Sequence, residues 1–197
     1  MRAMTEPNPA ADPGLPLVPG RQCGACTLCC KVLNIPALNK PENVWCGHCK
    51  QGTGCTIYQS RPEVCRDFYC SYRLSADIPE VWFPLKSKIM LRADPGGIVA
   101  FVDPGRPNAW REEPYYSHLR QWATPNAKRG HQVVVVRIGA RAIAVLPDGE
   151  VDLGALATGD RVLVRANRGP TGLVYEAWKE SGPKSAAGSE GTATVSV

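Results

Sequence analysis

All nine cysteines of this 197-residue chain lie between Cys23 and Cys70, a window of 48 residues, and the rest of the chain has none. That density limits how the window can fold, because thiols stand where larger apolar side chains would otherwise build a core. Two chemistries can order such a segment. A disulfide framework belongs to an oxidising compartment, and an odd number of cysteines leaves one unpaired. The first twenty residues, MRAMTEPNPAADPGLPLVPG, carry Pro, Asn and Asp in place of the apolar run of a secretory signal. We therefore expect a cytoplasmic chain with reduced thiols, and metal ligation is the reading that follows.

The spacing agrees. Cys23-Gly24-Ala25-Cys26-Thr27-Leu28-Cys29-Cys30 is C-x-x-C-x-x-C-C, and a C-x-x-C knuckle lets two thiolates reach one ion around a tight turn that Gly24 permits. A helix starting near Cys26 would place Cys29 and Cys30 on adjoining positions whose directions differ by roughly 100°. The adjacent pair would then serve one ion and its neighbour, so more than one metal is expected. Cys46-Gly47-His48-Cys49 is a second knuckle, followed by Cys55, Cys65 and Cys70. Ser60 and Glu63 have capping-box spacing, with Arg61 and Pro62 in the first turn of a helix that would carry Cys65. Lys31, Lys50, Arg61 and Arg66 are interspersed with the thiols and should offset their charge and lower their pKa values.

These blocks, C-G-A-C-x-x-C-C and then G-C-x-I-Y-x-x-R-P-x-x-C-R-x-F, resemble the C-x-x-C-x-x-C-C (YkgJ-type) cysteine-cluster family. The resemblance covers residues 23–70 and implies a domain that binds zinc or iron through about eight cysteines. The expected ligands are Cys23, Cys26, Cys29, Cys30, Cys46, Cys49, Cys55 and Cys65. Cys49 and Cys70 are the candidates for the thiol left over, Cys70 because it lies beyond the R-P-x-x-C-R-x-F block. A related cluster in flagellin lysine methyltransferases resembles an iron–sulfur site used alongside S-adenosylmethionine, which opens a redox or group-transfer alternative.

Sulfur ligands suit zinc and iron–sulfur clusters alike, so the metal stays open between zinc and iron, an iron–sulfur cluster included. The run resembles ferredoxin spacing, but Cys30 is adjacent to Cys29 and no C-x-x-x-C-P follows, which weakens an electron-carrier reading. His48, the only histidine in the window, is read as solvent-facing, and Tyr58 and Phe68 as apolar cover for the sulfurs.

Outside the window, residues 1–20 and 180–197 read as disordered arms, rich in Pro and in Ser, Gly, Ala and Thr respectively. Residues 21–75 form the expected metal-stabilised cysteine domain with short helices, and 86–179 a β-rich domain, together an α+β fold. Six strands are expected, at Lys88–Ala93, Ile98–Val102, Val133–Ile138, Arg141–Leu146, Arg161–Ala166 and Leu173–Trp178, as a small, mostly antiparallel sheet or open barrel. Asp94-Pro95-Gly96-Gly97 should turn the first hairpin. Tyr115, Leu119 and Trp122 recur at i, i+4 and i+7, the mark of an amphipathic helix after Pro114.

The stretch Asp103 to Glu113 is read as a surface loop with Trp110 anchored on the sheet, or as the lining of a ligand site. Trp122 and Trp178 should be core, His118 and His131 surface. The longest apolar run, Val133 to Val136, is far too short to span a bilayer, and the net charge of +5 forms no block. Neither a nucleic-acid nor a membrane partner is expected, and the sequence does not name a protein partner. Phosphate-loop, nucleophile-elbow, zincin and dinucleotide fingerprints are all missing from the sequence, so the common nucleotide-dependent and hydrolytic classes have no support.

Overall fold

The computed structural model describes residues 17–94, 96–125, 132–157, 159–170, 172–181 and 192–196. In chain order the cysteine segment carries one-turn helix α1 (Cys29–Val32), the two-residue strands β1 (Cys49–Lys50) and β2 (Gly54–Cys55), and one-turn helices α2 (Glu63–Arg66) and α3 (Ser71–Leu74). Helix α4 (Pro84–Ser87) leads into strands β3 (Ile89–Asp94) and β4 (Gly97–Val102), and then helix α5 (Tyr115–Ala123). Strands β5 (Val133–Ile138), β6 (Arg141–Val145), β7 (Glu150–Ala155), β8 (Arg161–Gly169), β9 (Gly172–Glu180) and β10 (Thr192–Ser196) complete the fold.

Strands β3 to β7 lie side by side in chain order as a five-stranded sheet, antiparallel except for the β4–β5 pair. A parallel neighbour cannot be reached by a tight turn, and the connection carrying α5 supplies the crossover. Strand β8 is the centre of a second sheet, with β9 and β10 antiparallel on either side. The class is α+β, with mostly antiparallel sheets.

The central strands β4 and β5 of the larger sheet are buried on both faces, which is why they read as nearly unbroken apolar runs. Because successive side chains point to opposite faces, Ile98, Ala100, Val102, Val134 and Val136 join a core with α5, Trp82 and Trp110. Val99, Phe101, Val133 and Val135 join a second core with Val162 and Val164 of β8. Leu28 and Val32, one turn apart on α1, enter that same second core. The cysteine segment is thus docked on the sheet. Arg21 fastens its start, donating to the carbonyls of Tyr72 (2.7 Å), Ser75 (2.9 Å) and Ile78 (2.8 Å).

Helix α5 buries Tyr115, Leu119 and Trp122 as its spacing predicts, and Trp110 is fully buried against the sheet. Several expectations need correction. Strand β7 is not among the six expected strands. Residues 192–196 of the supposed disordered tail pair with β8, along the edge that β9 leaves free. Ser60 does not cap α2: Pro62 holds the N-cap position and no side chain bonds there. Helix α1 begins at Cys29, not near Cys26. His118 is half-buried, its Nδ1 accepting a 3.0 Å bond from Trp82 Nε1. Trp178 is half-buried, donating to Glu180 Oε1 at 3.3 Å. Pro95, His131, residues 1–16 and residues 182–191 lie outside the described residues.

Candidate metal centre

Gly24, at φ +51°, makes the first knuckle turn, and the Cys26 N–H donates to the Cys23 carbonyl at 2.8 Å. Because Leu28 and Val32 of α1 are held in the core, Cys29 and Cys30 are fixed beside them at the segment's centre. The backbone N–H of Cys46 donates to the Cys30 carbonyl at 3.0 Å, bringing the second knuckle onto the first. Within that knuckle the Cys49 N–H donates to the Cys46 carbonyl at 2.9 Å, and the β1–β2 register sets Cys49 opposite Cys55. Cys65 sits on α2, and Cys70 is the N-cap residue of α3.

A cavity of about 280 Å³ opens between these elements, and every expected ligand except Cys49 lines it. Apolar side chains, among them Leu33, Ile35, Leu38 and Phe68, complete the wall. All nine thiols are free, and Cys46 is the most buried of them. Among the described residues, no three Cys, His, Asp or Glu side chains meet closely enough to hold a metal ion as they stand. His48 is exposed on the cavity rim, and its carbonyl is tied to Thr56. Tyr58 lines the cavity while 38% exposed and carries the Arg61 guanidinium 4.1 Å above its ring. Phe68 packs against the second core while lining the cavity.

The electrostatics overturn one expectation. Burial dominates and pushes Cys26 up to about 11, and it also raises Cys49, Cys55, Cys65 and Cys70. Cys29 is raised by its hydrogen bond to Cys30, with burial adding to it. Cys30 is lowered, to about 6, by that same bond, by a second bond from Cys49, and by the nearby charges of Lys40 and Arg61. Lys31 is paired with Asp103 instead, and Arg66 is exposed. The residue that sequence reasoning missed is Lys40. Its side chain is folded inward, 4% exposed, and its ammonium donates to the carbonyl of Lys31 at 2.7 Å and to that of Leu33. An Ile35–Lys40 bridge closes the turn that delivers it, and nothing in the local sequence marks that bridge.

The thiols fall into two neighbourhoods. The groups that repel a charge on Cys26 include Cys23 and Cys70, and Cys70 in turn lies near Cys23. Cys49, Cys55 and Cys65 each lie near Cys30 and Cys46. Arg73 reaches into the first neighbourhood, its Nη1 donating to Cys23 Sγ at 3.4 Å and its backbone N–H to the Cys70 carbonyl at 2.8 Å. No protein-family model, curated protein or solved structure matches the chain significantly.

Proposed function

We propose that this chain is a metal-binding protein that holds zinc or iron, an iron–sulfur cluster included, through the thiolates of its cysteine segment. The observation that carries the reading is the cavity of about 280 Å³ lined by all the expected ligands but Cys49. The donor chemistry fits, since clustered sulfurs without harder ligands suit zinc and iron–sulfur groups. Lys40 and Arg61 stand by to offset thiolate charge. Free thiols in this number fit a reducing compartment such as the cytoplasm. The reading requires the cavity walls to draw together on loading. It also accords with the resemblance to the C-x-x-C-x-x-C-C family.

A second reading, an iron–sulfur enzyme or accessory acting in redox or group transfer, draws on the cavity's size. Four sulfurs at roughly 2.3 Å leave no space around a zinc ion, whereas a cavity of about 280 Å³ has room for a larger group. Metal content, acid-labile sulfide and the visible spectrum of protein purified without oxygen decide between them. Iron with sulfide and a visible band supports the second reading, and colourless protein with stoichiometric zinc supports a structural centre. Protein that takes up neither metal, even when offered it under reducing conditions, refutes both.

A further inference from the structure

We propose that the nine thiols serve two adjacent centres, with Cys23, Cys26, Cys29 and Cys70 holding one and the second drawn from Cys30, Cys46, Cys49, Cys55 and Cys65. The inference rests on the metal-binding reading above and adds which thiols act together. It assigns Cys70, outside the set expected from sequence, to a centre.

Arg73 ties the first set together. Its guanidinium donates to Cys23 Sγ at 3.4 Å while its backbone N–H donates to the Cys70 carbonyl at 2.8 Å, so one residue joins two cysteines from opposite ends of the segment. Cys70 also accepts the backbone N–H of Tyr72, and Cys26 accepts that of Leu28, each two residues ahead. Cys26, which lines the cavity, and Cys70, which does not, both pack against the core that contains Val99 and Phe101.

The second set is built by different contacts. Backbone bonding joins Cys46 to Cys30 and Cys49 to Cys46, and the β1–β2 register joins Cys49 to Cys55. The Cys55 sulfur accepts the N–H of Ile57, two residues ahead. Cys65 faces this set from α2, with Cys30, Cys46 and Cys55 as its thiol neighbours. Cys29 and Cys30 are the junction. They are hydrogen-bonded to each other, and successive positions on α1 point about 100° apart, so the two sulfurs lead into different sets.

The test uses the full chain, stripped of metal by chelator under reducing conditions and reloaded with zinc ion. Chains carrying a single zinc are alkylated with iodoacetamide, and protected cysteines are mapped by mass spectrometry. Protection confined to one set in each chain is expected, and a one-zinc chain in which, for example, Cys26 and Cys55 are protected together overturns the division. Cys70→Ser should lose about half of the zinc, and Cys46→Ser/Cys55→Ser the other half, with complementary protection maps. Because these variants can fail to fold, the wild-type map decides: Cys70 alkylated as fast in zinc-saturated protein as in stripped protein refutes its assignment. Wild-type chain that binds neither zinc nor iron refutes the metal-binding reading itself, a different result from zinc bound by mixed sets.

Discussion

Lys31 Nζ lies 2.5 Å from Asp103 Oδ1, with both side chains less than one-fifth exposed, and so joins the helix of the cysteine segment to the end of strand β4. The same Asp103 oxygen accepts the Gly105 N–H at 2.8 Å, which fixes the loop that follows. Asp103→Asn removes the charge and keeps the shape. It should cost about 1–2 kcal/mol, more than an exposed ion pair, because the ammonium is left partly buried without its counter-charge. Thermal unfolding of the metal-free protein checks this, and an unchanged midpoint would show that the apolar docking around Leu28 and Val32 holds the two segments without help from this pair.

Gly97 begins β4 directly beside the backbone of β5. A Cβ there would run into the Val133 carbonyl oxygen and come within 2.9 Å of its carbonyl carbon. Both strands are buried, so neither backbone can retreat into solvent. We expect Gly97→Ala to destabilise by about 3 kcal/mol or more, the range of severe overpacking, measured by urea unfolding. A loss below about 1 kcal/mol would mean that the parallel pair yields at this end.

The larger sheet was legible because burial on both faces writes continuous apolar runs, and Val133 to Val136 could hardly fold otherwise. Strand β7 was not, since Glu150–Ala155 is an edge strand that alternates between exposed and half-buried and carries a kink at Gly154, φ +67°. The composition of the C-terminal tail hid the β-branched run at its end. In the candidate site, the thiols announced themselves by spacing, but their protonation did not. Counting Lys and Arg in the blocks predicted lowered pKa values, whereas burial raises most of the thiols; of the counted cations Arg61 acts on Cys30, and Lys40, which acts beside it, arrives from a turn outside the blocks.

Cys30, held down to about 6, gives the metal-free chain a defined pH response. Its folded value lies below the ordinary thiol value of 9.0, so its contribution to stability is complete above about pH 9 and is lost as pH falls through about 6. Cys26, pushed up to about 11, acts oppositely, and its contribution fades as pH rises from 9 toward 11. At pH 7 Cys30 should react with iodoacetamide ahead of the other thiols. Mass mapping after a short pulse checks the order. First labelling at Cys26, a buried and protonated thiol, would contradict it.

Lys40→Met tests the source of that depression. The variant removes a charge acting on Cys30 and the donor to the carbonyls of Lys31 and Leu33. We expect a stability loss of about 1–3 kcal/mol from the unpaired carbonyls, and the labelling midpoint of Cys30 should move upward. Lys40→Arg, which keeps the charge, should restore much of the midpoint even where the fit is poorer. A midpoint that stays near 6 in Lys40→Met would assign the depression to Cys29, Cys49 and Arg61.

Cys26→Ala and His48→Ala separate a ligand from a bystander. Cys26 is packed against the sheet's second core and lines the cavity, while His48 is exposed and is bonded to Thr56 through its backbone carbonyl alone. Cys26→Ala should therefore reduce bound metal and lower stability in both loaded and stripped protein, by about 1 kcal/mol or more in the latter. His48→Ala should leave both within about 0.5 kcal/mol, as for other exposed substitutions. Because raised thiols must release protons to bind, metal affinity in the wild type should also rise with pH, and Cys26→Ala should reduce the number of protons released. Equal metal loss in the two variants would make His48 a ligand and place the centre at the cavity rim, away from the sheet.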